Sequence, residues 1–249
     1  MAAIDSSNVW YWIGFITMVI SIGLVYRLGK KIKNDPHFNL KLPFTVTTIG
    51  AISYLILALG HGSITAAYHS VYYVRYLDWV LTTPILLVAL LLVVIPKPTD
   101  FRKKSQDNKL IGSVVLADVL MVITLFLASV SFSVAIKRLW FSLSCLSFVW
   151  IIWILFGTVR QMATVKGVVV DRVYSKLLIF LSLAMICYPV IWLFGTTATS
   201  DLSHYSENIL YLILDLLTQV GFWIYAISLL SNVKVKEEII KPVTEPGDI

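Results

Sequence analysis

Two apolar segments of this sequence carry ionisable side chains at helical spacing. Arg75 and Asp78 lie three residues apart in one segment, and Thr82 follows Asp78 by four, so a helix would place all three on one face. Charged side chains in an apolar segment are costly and usually serve a site or pair with one another. The spacing therefore indicates an ion relay or a charge cluster on this helix.

A second polar stripe lies near the end of the chain. Glu207, Tyr211, Asp215 and Gln219 recur every four residues, which gives one helical face. We expect both stripes to face one interior cavity, with Arg75 close to both aspartates. The alternative is that these side chains only tie the two helices together.

Composition excludes a water-soluble globular domain. Of the 249 residues, 58% are hydrophobic and 14% are charged, and the mean hydropathy is +0.84. A soluble domain has about a quarter of its residues charged. The apolar runs are near the length that crosses a bilayer as a helix, and they lack the alternation of a β-barrel.

The apolar runs predict an all-α membrane protein with a bundle of seven transmembrane helices. We expect one transmembrane domain over residues 1–232 and a cytoplasmic tail over 233–249. The predicted spans are 9–29, 42–62, 73–95, 110–130, 138–160, 174–195 and 207–231.

Basic residues predict the orientation in the membrane. Loops after the first, third and fifth spans are rich in Lys and Arg, whereas 63–72 and 196–206 contain none. The positive-inside rule then places the N-terminus outside and the C-terminus in the cytoplasm. We interpret the basic loops as topology signals rather than nucleic-acid sites, and the plasma membrane as the location.

Cys145 and Cys187 fall inside spans and indicate neither a disulfide nor a metal site.

Three segments resemble the helices of microbial rhodopsins. RYLDWVLTTP at 75–84 is similar to their third helix, YPVIW at 188–192 to their sixth, and LDLLTQVGF at 214–222 to their seventh. The number and spacing of spans agree as well, so the resemblance covers nearly the whole chain. The LTTP and LDLLT segments look closest to sensory rhodopsins.

The resemblance implies a retinal held as a Schiff base on a seventh-helix lysine. It makes Asp78 the primary counterion, Asp215 the second counterion, Arg75 their neighbouring arginine, and Glu207 an acid of the outward polar path. It also implies a retinal pocket lined by Trp79, Thr82, Thr83, Met121, Trp140, Phe141, Met185, Tyr188 and Trp192.

Three positions depart from the family pattern. Gln219 stands where the resemblance puts the lysine, and an amide does not form an imine. Met185 replaces a tryptophan of the pocket, and Ala89 replaces the cytoplasmic acid of outward proton pumps. We expect retinal to bind non-covalently at most, the alternative being that it does not bind. Because a single replacement would leave Met185 unexplained, the pattern favours a naturally lysine-free relative over a lysine-replaced variant.

These observations leave several functions open. The first is a lysine-free opsin relative acting as a receptor, a ligand-binding protein or an interaction scaffold. Its partners would be the lipid bilayer and a membrane transducer or a second copy of the chain. The alternative is a lysine-replaced retinal photoreceptor or light-driven proton pump, and a further one is a non-photoactive ion transporter. No nucleophile–base pair indicates an enzyme.

Overall fold

The computed structural model describes residues 6–29, 41–95 and 101–240. It confirms a bundle of seven helices long and apolar enough to cross a membrane. The first four helices are Ser6–Gly29, Lys41–Ala58, Tyr73–Val94 and Phe101–Val130. The fifth comprises Val134–Ile154, a π turn and Arg160–Val165; the sixth is Val168–Phe194; and the seventh comprises His204–Leu216, a π turn and Phe222–Ile240.

The helix ends differ from the predicted spans by up to nine residues, at the start of the fourth helix and at the end of the seventh. The sixth helix begins at Val168 rather than 174, and the second ends at Ala58 rather than 62. Hydropathy locates only the apolar part of a helix, while the hydrogen-bonded backbone continues through polar ends. The seventh helix continues to Ile240, into the predicted tail 233–249, of which residues 241–249 lie outside the described part of the chain. The predicted division into a domain and a tail stays a prediction.

A short β-hairpin connects the second and third helices and was not expected. Its strands, Ile64–Ala66 and His69–Val71, pair antiparallel with Ile64 opposite Val71. The turn residues Ala67 and Tyr68 have φ values of 49° and 66°, as a tight two-residue hairpin turn requires. Three-residue strands are too short to show a periodic pattern in the sequence.

Two π turns interrupt the long helices. One, Leu155–Val159, lies in the fifth helix, where the hydroxyl of Tyr174 donates to the carbonyl of Leu155 at 2.9 Å. The other, Leu217–Gly221, lies in the seventh helix and contains Gln219. Such turns often occur at functional sites because they free backbone groups and re-aim side chains.

The core is divided between apolar and polar parts. One large apolar cluster includes the C-terminal half of the third helix, from Leu86 to Val94. The N-terminal half of that helix instead carries the charged residues Arg75 and Asp78, both buried. On the outside of the bundle, large apolar side chains such as Trp153 are exposed, as a lipid-facing surface requires.

Candidate functional site

Gln219 and Asp78 meet between the seventh and third helices. The Nε2 of Gln219 donates to Oδ2 of Asp78 at 2.6 Å, and the hydroxyl of Ser53 donates to Oδ1 at 3.3 Å. Gln219 and Asp78 are only 1% and 3% exposed. The seventh helix therefore presents an amide donor to a buried carboxyl of the third.

Asp215 lies in the same interior and accepts from three helices. Its Oδ2 accepts from the hydroxyl of Tyr54 at 2.7 Å, and its Oδ1 accepts from Trp79 Nε1 at 3.1 Å and from Tyr188 OH at 2.8 Å. Tyr188 also contacts the hydroxyl of Thr218 at 3.0 Å. We call Asp78, Asp215 and these donors the carboxyl cluster. Within the described residues, the two aspartate side chains accept hydrogen bonds from uncharged donors.

Arg75 makes its contacts away from the aspartates. Its guanidinium donates to Oδ1 of Asn208 at 3.0 Å and lies 4.4 Å from the ring centre of Tyr211. Across the described ranges, Arg75 has no carboxylate within the 4.0 Å of an ion pair. A neutral amide and aromatic faces contact the guanidinium instead. The expectation that Arg75 lies near both aspartates stays a prediction.

Glu207 is held by the loop that follows the sixth helix. Its Oε2 accepts from the backbone N–H of Thr196 at 3.0 Å and from the Thr196 hydroxyl at 2.7 Å. The carboxyl packs so closely on Gly195 that an added Cβ would lie 2.9 Å from it. We call Arg75, Asn208, Tyr211, Glu207 and Thr196 the arginine region.

Five of the nine residues in the predicted pocket line one apolar cavity. It lies between the third, fourth, fifth and sixth helices and has a volume of about 50 Å³. A volume of this size admits a few water molecules, and an apolar lining favours a hydrocarbon over water. The five residues are Trp79, Thr83, Met121, Met185 and Tyr188.

The other four predicted pocket residues lie outside the lining of that cavity. Thr82 is buried and its hydroxyl donates to the carbonyl of Asp78 at 2.8 Å, within its own helix. Phe141 stacks on Trp192 with ring centres 4.7 Å apart and planes at 11°. Trp140 packs, half-buried, against the apolar cluster that includes Trp192. None of these four side chains is among those that line the cavity.

Asp118 provides a separate polar contact between the third and fourth helices. It is fully buried, and its Oδ2 accepts from the hydroxyl of Thr83 at 2.6 Å. Since Thr83 also lines the cavity, this pair links the cavity wall to the fourth helix.

Sequence reasoning missed several contributors to the site, among them Ser53, Tyr54 and Asn208. Ser53 and Tyr54 are adjacent polar residues in the middle of an apolar segment. That pattern identifies them as site residues only when their hydrogen-bond partners on other helices are known. Asn208 precedes Tyr211 by three and Asp215 by seven, a spacing that places all three on one helical face. That spacing could have identified Asn208 beside the predicted stripe.

The lysines described near the bundle lie away from the carboxyl cluster. Lys137 donates to the carbonyl of Thr197 at 2.6 Å at the loop after the sixth helix. Lys166 donates to the carbonyl of Val94, and Lys176 is exposed. None of these three lysines contacts Asp78 or Asp215 in the described structure.

The fold is a bundle of seven membrane-spanning helices with buried polar residues between the third and seventh. The family described as bacteriorhodopsin-like protein matches residues 5–233, and the chain belongs to it. The resemblance to microbial rhodopsins is thereby confirmed at the level of the family. The chain is an integral membrane protein.

Individual relatives cover almost all of the chain. Bacteriorhodopsin from Haloterrigena sp. (strain arg-4) is 27% identical over 254 residues, covering 98% of this chain and 95% of that protein. Opsin-1 from Neurospora crassa is 28% identical over 235 residues, covering 86% and 73%.

Solved structures agree with the fold. Thermophilic rhodopsin from Rubrobacter xylanophilus superposes with a TM-score of 0.81 at 30% identity, covering 92% of this chain and 99% of that one. The light-driven proton pump rhodopsin CsR from Coccomyxa subellipsoidea gives a TM-score of 0.78 at 25% identity, covering 91% and 98%.

Proposed function

We propose that this protein is a rhodopsin-type membrane protein that works without covalent retinal, as a receptor, ligand-binding protein or interaction scaffold. Gln219 takes the position of the retinal-binding lysine in this proposal. The observation that carries it is the hydrogen bond from the Gln219 amide to Asp78 at 2.6 Å. A buried amide in that place supplies a neutral donor to the carboxyl and no amine.

Covalent retinal does not fit these residues. Formation of an imine requires a primary amine, and the side-chain nitrogen of Gln219 belongs to an amide. That nitrogen donates a hydrogen bond to Asp78. Asp215 accepts hydrogen bonds from three other side chains. A light-driven step through a covalently bound pigment is therefore not part of the proposed function.

Non-covalent binding of an apolar ligand remains part of the proposal. The cavity beside Met121 and Met185 is lined almost wholly by apolar groups, and methionine side chains adapt readily to a ligand. Such a lining favours a retinoid or another hydrocarbon as the ligand class, and the cavity of about 50 Å³ would have to widen around Met121 and Met185 to hold one. The segments LTTP and LDLLT support a sensory-type ancestry, with a membrane transducer or a second copy of the chain as partner.

The proposed topology has the N-terminus outside, the C-terminus in the cytoplasm, and the plasma membrane as the location. The Lys- and Arg-rich loops after the first, third and fifth helices support this orientation.

Adding all-trans retinal to the purified protein and to a Gln219→Lys variant tests the proposal. We expect a visible absorption band with the lysine and none with Gln219, because only the variant supplies an amine facing Asp78. Gln219→Met, which has a similar volume and no amine, serves as the matched control. A band of equal strength in the unaltered protein that survives denaturation would show a covalent link elsewhere and overturn the proposal.

A second candidate is a light-driven proton pump whose lysine has been replaced. The similarity to the Coccomyxa proton pump favours it, and so does the buried carboxyl of Asp78 on the third helix. Ala89 supports the first proposal over this one, since no acid stands at that point of the third helix. Light-induced pH change in vesicles containing the Gln219→Lys variant tests the pump: sustained acidification on one side would support it, and pigment formation without transport would contradict it.

A further inference from the structure

Three residues of the second helix face the carboxyl cluster from one side. Ser53 and Tyr54 follow Gly50 by three and four residues, so all three lie on one side of the helix. Ser53 donates to Asp78 and Tyr54 donates to Asp215. Gly50, one turn away, has no side chain and lies against Gln219.

The contact at Gly50 is specific to the amide of Gln219. A Cβ built on Gly50 would overlap Oε1 of Gln219, and it would lie 3.2 Å from the Cδ of the same side chain. The third nearest atom is Cε of Met18, at 3.4 Å. The two nearest atoms both belong to the Gln219 amide, which therefore fills the space that the glycine leaves.

The two ends of the amide are fixed in different ways. Nε2 is held by its hydrogen bond to Asp78 at 2.6 Å. Oε1 is buried and has no hydrogen-bond partner in the part of the chain that the structure describes. Steric fit against Gly50 is therefore what locates the oxygen, and a side chain at position 50 would push the amide away from Asp78.

We infer that Gly50 is a positioning residue for the Gln219 amide, and that the second and seventh helices form a matched pair in which the glycine makes room for the amide oxygen. Gly50 acts through Gln219, by keeping the amide in the position from which Nε2 donates to Asp78. The inference deepens the proposed function, because it makes the glutamine a fitted part of the site rather than an isolated replacement.

Gly50→Ala tests this inference through the infrared carboxyl band of Asp78, identified by its loss in Asp78→Asn. We expect Gly50→Ala to shift that band to the position it has in Gln219→Ala, because both changes remove the same hydrogen bond. Gly112→Ala is the matched control: Gly112 is also a helical glycine within a span, and a Cβ there meets nothing within 4 Å. It should leave the band in place.

The double variant separates positioning from simple packing. In the Gln219→Ala background, Gly50→Ala should cause no further shift and no further fall of the thermal midpoint, because the oxygen it overlaps is gone. With Gln219 present, we expect a fall of about 2–4 °C. An unmoved Asp78 band with an equal fall in both backgrounds would show that Gly50 only packs helices, and would overturn the inference.

The same set of single and double variants remains informative if Gly50→Ala does not fold. If Gly50→Ala alone does not fold, the inference requires Gly50→Ala with Gln219→Ala to fold, and an unfolded double variant would overturn it. None of these measurements uses retinal, so their outcome is distinguishable from that of the colour test on Gln219→Lys.

Discussion

The charged residues of the carboxyl cluster and of the arginine region all lie on the third and seventh helices, yet their hydrogen bonds go to separate sets of partners. Asp215 receives three hydrogen bonds, from Tyr54, Trp79 and Tyr188. About one turn away, Arg75 donates to Asn208 and rests over the ring of Tyr211. Arg75 and Asp78 are close enough in sequence to form an ion pair. In the described chain, Asp78, Asp215 and Arg75 instead form hydrogen bonds with uncharged side chains.

This difference teaches how charges are held in an apolar bundle. An ion pair requires both partners to lose their hydration together, and the pair often gains little over well-placed neutral groups. Hydrogen bonds from hydroxyl, indole and amide groups to an ionised acceptor are strong in a medium of low dielectric. Each region can therefore be altered without first breaking the other, which gives three predictions.

The largest effect is expected in the carboxyl cluster. Asp215→Ala would leave the hydroxyls of Tyr54 and Tyr188 and the indole of Trp79 without their acceptor. Each orphaned buried donor costs about 1–3 kcal/mol, so the free energy of unfolding should fall by more than about 3 kcal/mol. Equilibrium unfolding in detergent measures it.

Asp215→Asn and Asp201→Ala are the controls for this prediction. Asparagine retains one acceptor oxygen and should cost less than alanine. Asp201 is exposed and accepts from the nearby Thr199 side chain at 2.5 Å, so its loss should stay within about 0.5 kcal/mol. Equal costs at Asp215 and Asp201 would mean that the three hydrogen bonds do not hold the cluster.

An intermediate effect is expected in the arginine region. Arg75→Gln removes the charged donor to Asn208 and the cation over Tyr211, and should cost about 1.5–3 kcal/mol. The infrared band of Asp78 should move less than it does in Gln219→Ala, because Asp78 receives its hydrogen bonds from Gln219 and Ser53.

The exposed Arg138 provides the comparison, and Arg138→Gln should alter neither quantity. If Arg75→Gln moves the Asp78 band as far as Gln219→Ala does, the two regions are one electrostatic unit and the contrast between them is wrong.

The smallest effect is expected at Glu207. Glu207→Gln keeps a carbonyl oxygen that accepts from Thr196, so the loss of stability should remain below about 1 kcal/mol. Glu207→Ala removes the acceptor for both Thr196 donors and should cost more than the glutamine variant. Thermal unfolding of the two variants checks the order, and a reversed order would place the main role of Glu207 in its charge.

Much of the site could be predicted because helical spacing sorts side chains by face. The period placed Arg75 with Asp78, and Asp215 with Gln219, before any contact was known. It did not find Ser53 and Tyr54, since a short polar pair in an apolar helix has no partner in the local sequence. Spacing also carries no information on which way a long side chain turns, so it could not predict that Arg75 donates to Asn208.

The sequence by itself determined the seven apolar helices, their membrane setting and the polar faces of the third and seventh, because hydropathy and helical period are local properties of the chain. Only the tertiary structure decided that Gln219 donates to Asp78, that Asn208 takes Arg75 and that Gly50 makes room for an amide. Those contacts depend on the rotation and depth of whole helices in the bundle. Rotation and depth are set by packing between helices, which no single segment encodes.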